Sequence, residues 1–166
     1  MELIRDKSME NITLQEVLDR ANVGRSTFYL HFRDKDDLLL SQFEQFFDFM
    51  STALISCKEQ SLRVLPVAEM FAHIAEQKKL YRALVDSGRI NDFFDLAPGY
   101  FARAIEQRLK NSERIANLPD RELTARAYAL AGALISLLRW WLDRGGKESP
   151  AEMDKVFHRL VWNGLP

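Results

Sequence analysis

Apolar residues recur at helical spacing along most of the chain, and no segment alternates in the way that a half-buried strand does. Asp34 or Asp36 can cap a long helix that runs to about Gln60. Further helices are predicted near Val64 to Gln77, Lys78 to Asp86 and Ile90 to Lys110, and the last of these can be split at Pro98-Gly99. The pattern therefore predicts an all-α protein.

Two more helices are predicted at the C-terminal end. Asp120 is placed to cap a helix that runs to about Arg144 and stops at Gly145-Gly146. Its middle, AYALAGALISLL, is apolar on almost every side, so a monomer would leave one of its faces in water. Ser149 and Glu152 then form a capping box, which opens a last helix that ends near Gly164.

Small residues line one side of the Asp120 helix and would let a partner helix approach closely. With the last helix, they predict an interface between two copies of the chain. The interface would comprise Ala129, Gly132, Ala133, Ser136, Trp140, Val156, Phe157 and Leu160. The alternative is that this helix is the central core helix of a monomer.

The segment from Thr13 to Leu38 predicts two short helices joined by a tight turn and followed by a third helix. Thr13 and Glu16 form a capping box, and Asn22 can adopt the left-handed conformation that most residues avoid. A second helix opens near Gly24 or Arg25, and Phe28 and Phe32 lie on one of its faces, four positions apart.

The other faces of this second helix carry hydrogen-bonding groups and one aromatic ring, from Arg25, Ser26, Thr27, Tyr29 and His31. A buried helix would not contain this set of side chains, but a helix in the DNA major groove needs it. The segment is therefore predicted to be a helix-turn-helix that reads DNA. The alternative is an ordinary helical corner whose Tyr29 and His31 lie at a surface.

This segment resembles the DNA-binding motif of the tetracycline-repressor (TetR) family of bacterial transcription regulators. The matching residues are Thr13, Val17, Ala21-Asn22-Val23, Thr27-Phe28-Tyr29, His31-Phe32, Lys35 and Leu38. The resemblance implies an all-helical homodimer. A three-helix DNA-binding unit would occupy residues 1–40, and a helical domain over residues 41–166 would dimerise and hold a small-molecule effector.

In proteins of this family the third helix of the unit, which corresponds to the predicted helix that opens near Gly24 or Arg25, enters the major groove. The resemblance implies that Tyr29, His31 and Lys35 touch backbone phosphates. Two features depart from the family pattern. Asn22 stands where the family usually has glycine, and the first helix, expected to begin within Met1 to Lys7, is shorter than the family's. A truncated first helix would bury less apolar surface against the next two helices and could weaken DNA binding.

Charge and composition fit this interpretation. A chain of 166 residues with 47% hydrophobic residues can bury a substantial core, and its net charge of −1 argues against a protein that coats nucleic acid generally. The segment from Arg20 to Lys35, however, contains four cationic residues and only one carboxylate, Asp34, so its local charge is positive and suits DNA phosphates. The single cysteine, Cys57, suits a reducing cytoplasm, no signal peptide is visible, and no apolar run reaches the roughly 20 residues that cross a bilayer.

Catalytic motifs are missing from the sequence. His31, His73 and His158 are far apart in the chain, and there is no His-Glu-x-x-His spacing, glycine-rich phosphate loop or Gly-x-Ser-x-Gly turn. We therefore expect no enzyme activity, no metal and no cofactor. An effector pocket is predicted among Phe71, His73, Tyr81, Phe94 and Phe101, although aromatic residues at helical spacing are more often core.

The sequence as a whole predicts a homodimeric repressor of transcription that binds a palindromic operator in double-stranded DNA and is released by a small-molecule effector. Its DNA contacts are predicted from Thr13, Arg25, Ser26, Thr27, Tyr29, His31, Arg33 and Lys35. The alternative is a helical ligand-binding or protein-interaction module whose DNA reader is vestigial.

Overall fold

A computed structural model of the protein describes residues 3–4, 7, 9–53, 63–112 and 118–163. These residues form a 3-10 turn, Met9–Asn11, and eight α-helices. The helices are α1 (Leu14–Ala21), α2 (Arg25–His31), α3 (Lys35–Ala53), α4 (Val67–Glu76), α5 (Lys78–Asp86), α6 (Ile90–Lys110), α7 (Asp120–Asp143) and α8 (Pro150–Asn163). No strand occurs over these ranges, and the predicted all-α class is confirmed.

Two helix starts show how local chemistry sets the boundaries. Asp34 caps α3, because its carboxylate accepts a hydrogen bond of 2.8 Å from the Asp37 backbone N–H. The helix was predicted to run to about Gln60, and the part of that prediction beyond Ala53 lies outside the described residues. α4 begins at Val67 rather than at the predicted Val64, since a proline at position 66 disfavours helical backbone in the residue before it.

α6 is continuous through Pro98, so the predicted split at Pro98-Gly99 is wrong. A proline inside a helix removes one backbone hydrogen bond, but its fixed φ is compatible with helical backbone. The residues on both sides of Pro98 are held by packing, since Ala97 is 0% and Phe101 is 1% exposed. Burial of the helix on both sides offsets the missing hydrogen bond.

The start of α7 differs from the sequence-based prediction, and its end agrees with it. Asp120 is the first helical residue and Pro119 occupies the cap position without a side-chain bond, so the predicted cap by Asp120 is wrong. α7 ends at Asp143, before Gly145 and Gly146, which have φ of +76° and +65°. These are values that glycine adopts without the steric cost of a Cβ.

The Ser149 capping box is confirmed at the start of α8. The Glu152 carboxylate accepts a hydrogen bond of 2.7 Å from the Ser149 backbone N–H, and the Ser149 hydroxyl accepts one of 3.3 Å from the Glu152 N–H. The predicted end of this helix near Gly164 lies just outside the described residues.

The chain divides into two compact units. Unit 1 comprises Met1–Gln45 and Gln77–Asp95, and unit 2 comprises Phe46–Glu76 and Leu96–Pro166. The sequence-based division, residues 1–40 and 41–166, does not anticipate that α5 and the start of α6 belong to unit 1 with the helix-turn-helix.

Packing and charge explain why α5 and the start of α6 join unit 1. The ring of Phe93 lies edge-on to Phe43 of α3 at 5.4 Å and to Tyr81 of α5 at 6.3 Å. The Arg89 guanidinium also contacts the Asp36 carboxylate at 2.7 Å. Residues distant in sequence thus form one core.

Unit 2 is built around α4, α7 and α8, with α8 packed against both of the others. Phe71 of α4 meets Trp141 of α7 with ring centroids 5.0 Å apart, and the Trp141 indole N–H donates to the Glu148 carbonyl at 2.9 Å. One side of α7 is shielded from solvent, since four residues along it are 0% exposed: Ala127, Ala131, Leu134 and Leu138. None of the helices in the described ranges is long and apolar enough to cross a membrane.

Candidate nucleic-acid interface

The first helix of the helix-turn-helix, α1, begins at the predicted capping box. The Thr13 hydroxyl accepts a hydrogen bond of 3.2 Å from the Glu16 backbone N–H, and the Glu16 carboxylate accepts one of 2.8 Å from the Thr13 N–H. Lys7 donates to the same carboxylate at 2.7 Å, and this bond and those from Thr13 lower the pKa of Glu16 to about 2. The predicted capping box is therefore confirmed.

The turn after α1 contains the predicted left-handed residue. Asn22 has φ 52° and ψ 45°, and the turn closes with a hydrogen bond of 3.1 Å from the Val23 N–H to the Leu18 carbonyl. Gly24 then occupies the cap position of α2. The prediction that Asn22 adopts the left-handed conformation is confirmed, and asparagine is among the few residues that tolerate it.

α2 has one buried side. Phe28 is 5% exposed and contacts Phe32, which follows the helix, at a ring distance of 5.5 Å. Because these two rings anchor α2 to unit 1, the remaining sides of the helix are turned outward.

The outward sides of α2 carry the predicted DNA-contacting side chains, and all five are exposed: Arg25, Ser26, Thr27, Tyr29 and His31. Tyr29 is 54% exposed and its ring rests edge-on against Phe28 at 5.5 Å. The Arg25 guanidinium donates to the Gln15 side-chain oxygen at a long 3.3 Å, so little holds it in place. Unit 1 therefore presents these groups together on one helix.

Arg33 follows α2 and is also exposed. Its guanidinium contacts the Asp37 carboxylate at 3.2 Å, while its side chain stays 85% exposed. The same carboxylate accepts a hydrogen bond of 2.9 Å from the Arg33 backbone N–H. These bonds hold the pKa of Asp37 below its usual range, so this carboxylate remains charged beside Arg33.

Lys35 is placed differently from the other predicted DNA contacts. Its ammonium donates to the backbone carbonyl of Met9 at 2.7 Å and to that of Ile12 at 2.9 Å, with Glu10 more distant at 3.5 Å. An ammonium has three N–H donors, so a phosphate would compete with these carbonyls. Thr13 is similar, since its hydroxyl already serves the capping box. Phosphate contacts by Lys35 and Thr13 stay predictions.

Four of the five residues predicted to form an effector pocket are buried, two in the core of each unit. Phe71 and Phe101 of unit 2 are 0% and 1% exposed, and Tyr81 and Phe94 of unit 1 are 5% and 7% exposed. Burial raises the pKa of the Tyr81 hydroxyl. His73 is exposed and lies against the Phe46 ring at 5.1 Å. The pocket stays a prediction that requires the aromatic core to open.

Unit 1 contains a cavity of about 430 Å³ beside the 3-10 turn. Apolar side chains, including Met9, Ile12 and Leu39, line most of it, and Lys35 lies at its wall. None of the five residues predicted to hold an effector lines this cavity.

Most of the predicted dimer residues are open on unit 2. Ala129, Ser136 and Trp140 are exposed, and Gly132, Ala133, Val156 and Leu160 are half-buried. Phe157 is 0% exposed and therefore belongs to the core of the subunit, so we withdraw it from the predicted interface. For the others, the interface stays a prediction.

One exposed residue of α2 was not predicted from the sequence. Leu30 is 80% exposed, more than any other large hydrophobic residue in the described ranges. The helical period could have found it, because Leu30 lies two positions after Phe28 and therefore on the opposite side of α2. Gln15 and Asp37, which accept hydrogen bonds from Arg25 and Arg33, were also missed. The i,i+4 spacing of Arg33 and Asp37 could have indicated their pairing, whereas Arg25 and Gln15 have no comparable sequence signal.

Comparison with known proteins identifies the family. Residues 1–41 match the family described as bacterial regulatory proteins, tetR family. Residues 67–163, more than half of the chain, match a second described as transcriptional regulator C-terminal region. The chain belongs to the tetR family of transcriptional regulators. The resemblance drawn from the helix-turn-helix residues is thereby confirmed.

One curated protein and one solved structure are similar to this chain. An uncharacterized HTH-type transcriptional regulator of Bacillus subtilis (strain 168), YxbF, is 20% identical over 170 residues. The match covers 96% of this chain but only 42% of YxbF. The crystal structure of a TetR-family regulator of Syntrophomonas wolfei str. Goettingen superposes with a TM-score of 0.65 at 20% identity, covering 99% of this chain and 91% of that one. At this identity the second similarity shows a shared fold.

Proposed function

We propose that this tetR-family protein is a homodimeric repressor of transcription that binds a palindromic operator in double-stranded DNA and is released by a small-molecule effector. The observation that carries the proposal is the outward side of α2. There a helix anchored by Phe28 holds a guanidinium, two hydroxyls, a phenol and an imidazole exposed together.

In this proposal α2 lies in the major groove. Arg25, Ser26 and Thr27 lie nearest the base edges, and Arg25 can leave its long bond to Gln15 and pair with both acceptors of a guanine. Tyr29, His31 and Arg33 contact backbone phosphates and set the register of the helix.

Lys35 has a different role in the proposal. Its ammonium joins the start of α3 to the carbonyls of the turn that precedes Thr13. We assign Lys35 the role of positioning α1 and the reading helix, because its N–H donors already have protein acceptors.

Dimerisation follows from the exposed side of α7. Ala129 and Ser136 are small and exposed and Gly132 is half-buried beside them, which would let the same helix of a second copy approach closely. Two copies related by a two-fold axis would present two reading helices to half-sites about 34–36 Å apart. The operator is therefore expected to be palindromic.

The proposed effector response depends on the helices that continue from one unit to the other. α3 and α6 each contribute residues to both units. A small molecule that opens the aromatic core of either unit would alter these helices and thereby change DNA affinity. We further propose that the protein acts in the cytoplasm, where bacterial DNA is accessible.

A gel shift tests the DNA-binding part of the proposal. The full chain is titrated into DNA that flanks its own gene, at several salt concentrations. We expect a sequence preference and a steep loss of affinity with salt, because phosphate contacts release counterions. Binding without salt dependence or sequence preference would overturn the proposal and favour a module with a vestigial reader.

Three variants sharpen this test. Tyr29→Ala should weaken binding to all sequences by about tenfold, since a hydrogen bond to a charged phosphate is worth about 1.5 kcal/mol. Arg25→Ala should instead reduce the preference for the best sequence, by about 1–3 kcal/mol. Arg82→Ala, an exposed arginine on α5, is the matched control and should change neither quantity.

A further inference from the structure

Leu30 occupies the centre of the outward side of α2. Successive residues of a helix are separated by about 100°, so Leu30 lies about 200° around the axis from the buried Phe28. Ser26, four residues earlier, shares this side with it. Leu30 is 80% exposed and therefore contributes little to the core of unit 1.

A single exposed leucine is common on protein surfaces. The position of Leu30 is informative, since the proposed function places this side of α2 against base edges. A leucine side chain has no hydrogen-bond donor or acceptor, so it cannot read the polar pattern of a base pair. The apolar group that DNA presents in the major groove is the C5-methyl of thymine.

We propose that Leu30 determines sequence specificity by packing against a thymine C5-methyl in the major groove. This inference rests on the proposed function and deepens it. Arg25 and the hydroxyls of α2 would read polar groups, and Leu30, about one turn further along the helix, would read a methyl group. A 5-methylcytosine carries the same methyl group, so the experiment must separate the two bases.

The test removes the methyl group without changing the base pairing. Binding sites are first selected by the full-length protein from a random library of double-stranded DNA. Each thymine of the selected site is then replaced by uracil, which lacks only the C5-methyl. We expect about fourfold weaker binding for each thymine that Leu30 covers, which corresponds to about 0.8 kcal/mol for a buried group of this size.

Leu30→Ala should bind the thymine site about as weakly as the wild type binds the uracil site, and should lose its response to uracil. Its salt dependence should remain, because the phosphate contacts are unchanged. Val85→Ala is the matched control, since Val85 is an exposed apolar residue of α5 in the same unit, and it should keep the full response. Melting curves of the three proteins should coincide.

The outcomes separate the two proposals. Selection of a specific site that is insensitive to uracil, or equally sensitive in Leu30→Ala, overturns the role of Leu30 and leaves the proposed function standing. A gain of affinity only when a selected cytosine is methylated overturns the choice of thymine. Failure to select any sequence overturns the proposed function, and the role of Leu30 with it.

Discussion

The position of Lys35 leads to a prediction that separates its two proposed roles. In Lys35→Met the aliphatic stem is kept and the ammonium is lost. The Met9 and Ile12 carbonyls, now 2.7 and 2.9 Å from that ammonium, would lose their donor. If Lys35 serves only as a phosphate contact, this change should affect DNA affinity alone.

The expected loss of stability follows from these two bonds. A hydrogen bond to a charged group is worth about 1.5–3 kcal/mol when its partners are shielded from water. Lys35 is half-buried, so water can partly replace its ammonium, and we take about 1–1.5 kcal/mol for each bond. Lys35→Met should therefore lower the free energy of unfolding by about 2–3 kcal/mol, equivalent to about 4–12 °C in Tm.

Urea denaturation followed by circular dichroism measures this change, and amide hydrogen exchange locates it. The Ile12 N–H, which donates to the Met9 carbonyl at 3.3 Å, should exchange faster in the variant. Lys79→Met is the matched control, because Lys79 is an exposed lysine of the same unit and its loss should change stability by less than about 0.5 kcal/mol. An unchanged unfolding free energy in Lys35→Met, together with weaker DNA binding, would refute the positioning role.

Two further predictions concern unit 2. Gly146→Ala should cost at least about 1 kcal/mol more than Gly145→Ala in urea denaturation: both have positive φ, but only at Gly146 would a Cβ lie 2.9 Å from the buried ring of Trp141. Equal costs would contradict the steric argument. Burial lowers the pKa of His158, whose Nε2 accepts the Val64 N–H at 3.1 Å only when unprotonated. Because the unfolded chain then takes up a proton first, stability should fall as pH drops below about 6.5, and a His158→Gln variant with an identical pH profile would disprove this role.

The features predicted correctly depend on residues a few positions apart. The Thr13 and Ser149 capping boxes and the left-handed Asn22 were predictable because each requires only a short segment of chain. The family resemblance depends on one short segment, Thr13 to Leu38, and could therefore be predicted without knowledge of the fold. The split at Pro98 was wrongly predicted because the local rule omits the burial of Ala97 and Phe101.

The sequence by itself thus determined the helical class, the helix-turn-helix and the family, since these follow from local hydrogen bonding and from the helical period of apolar residues. Tertiary structure alone decided that Lys35 donates to the carbonyls of Met9 and Ile12, that α5 belongs to unit 1 with the helix-turn-helix, and that Phe157 is buried. Each of these depends on contacts between residues far apart in the chain, whose free energy is set by packing and shielding from water. No short segment of sequence encodes that environment.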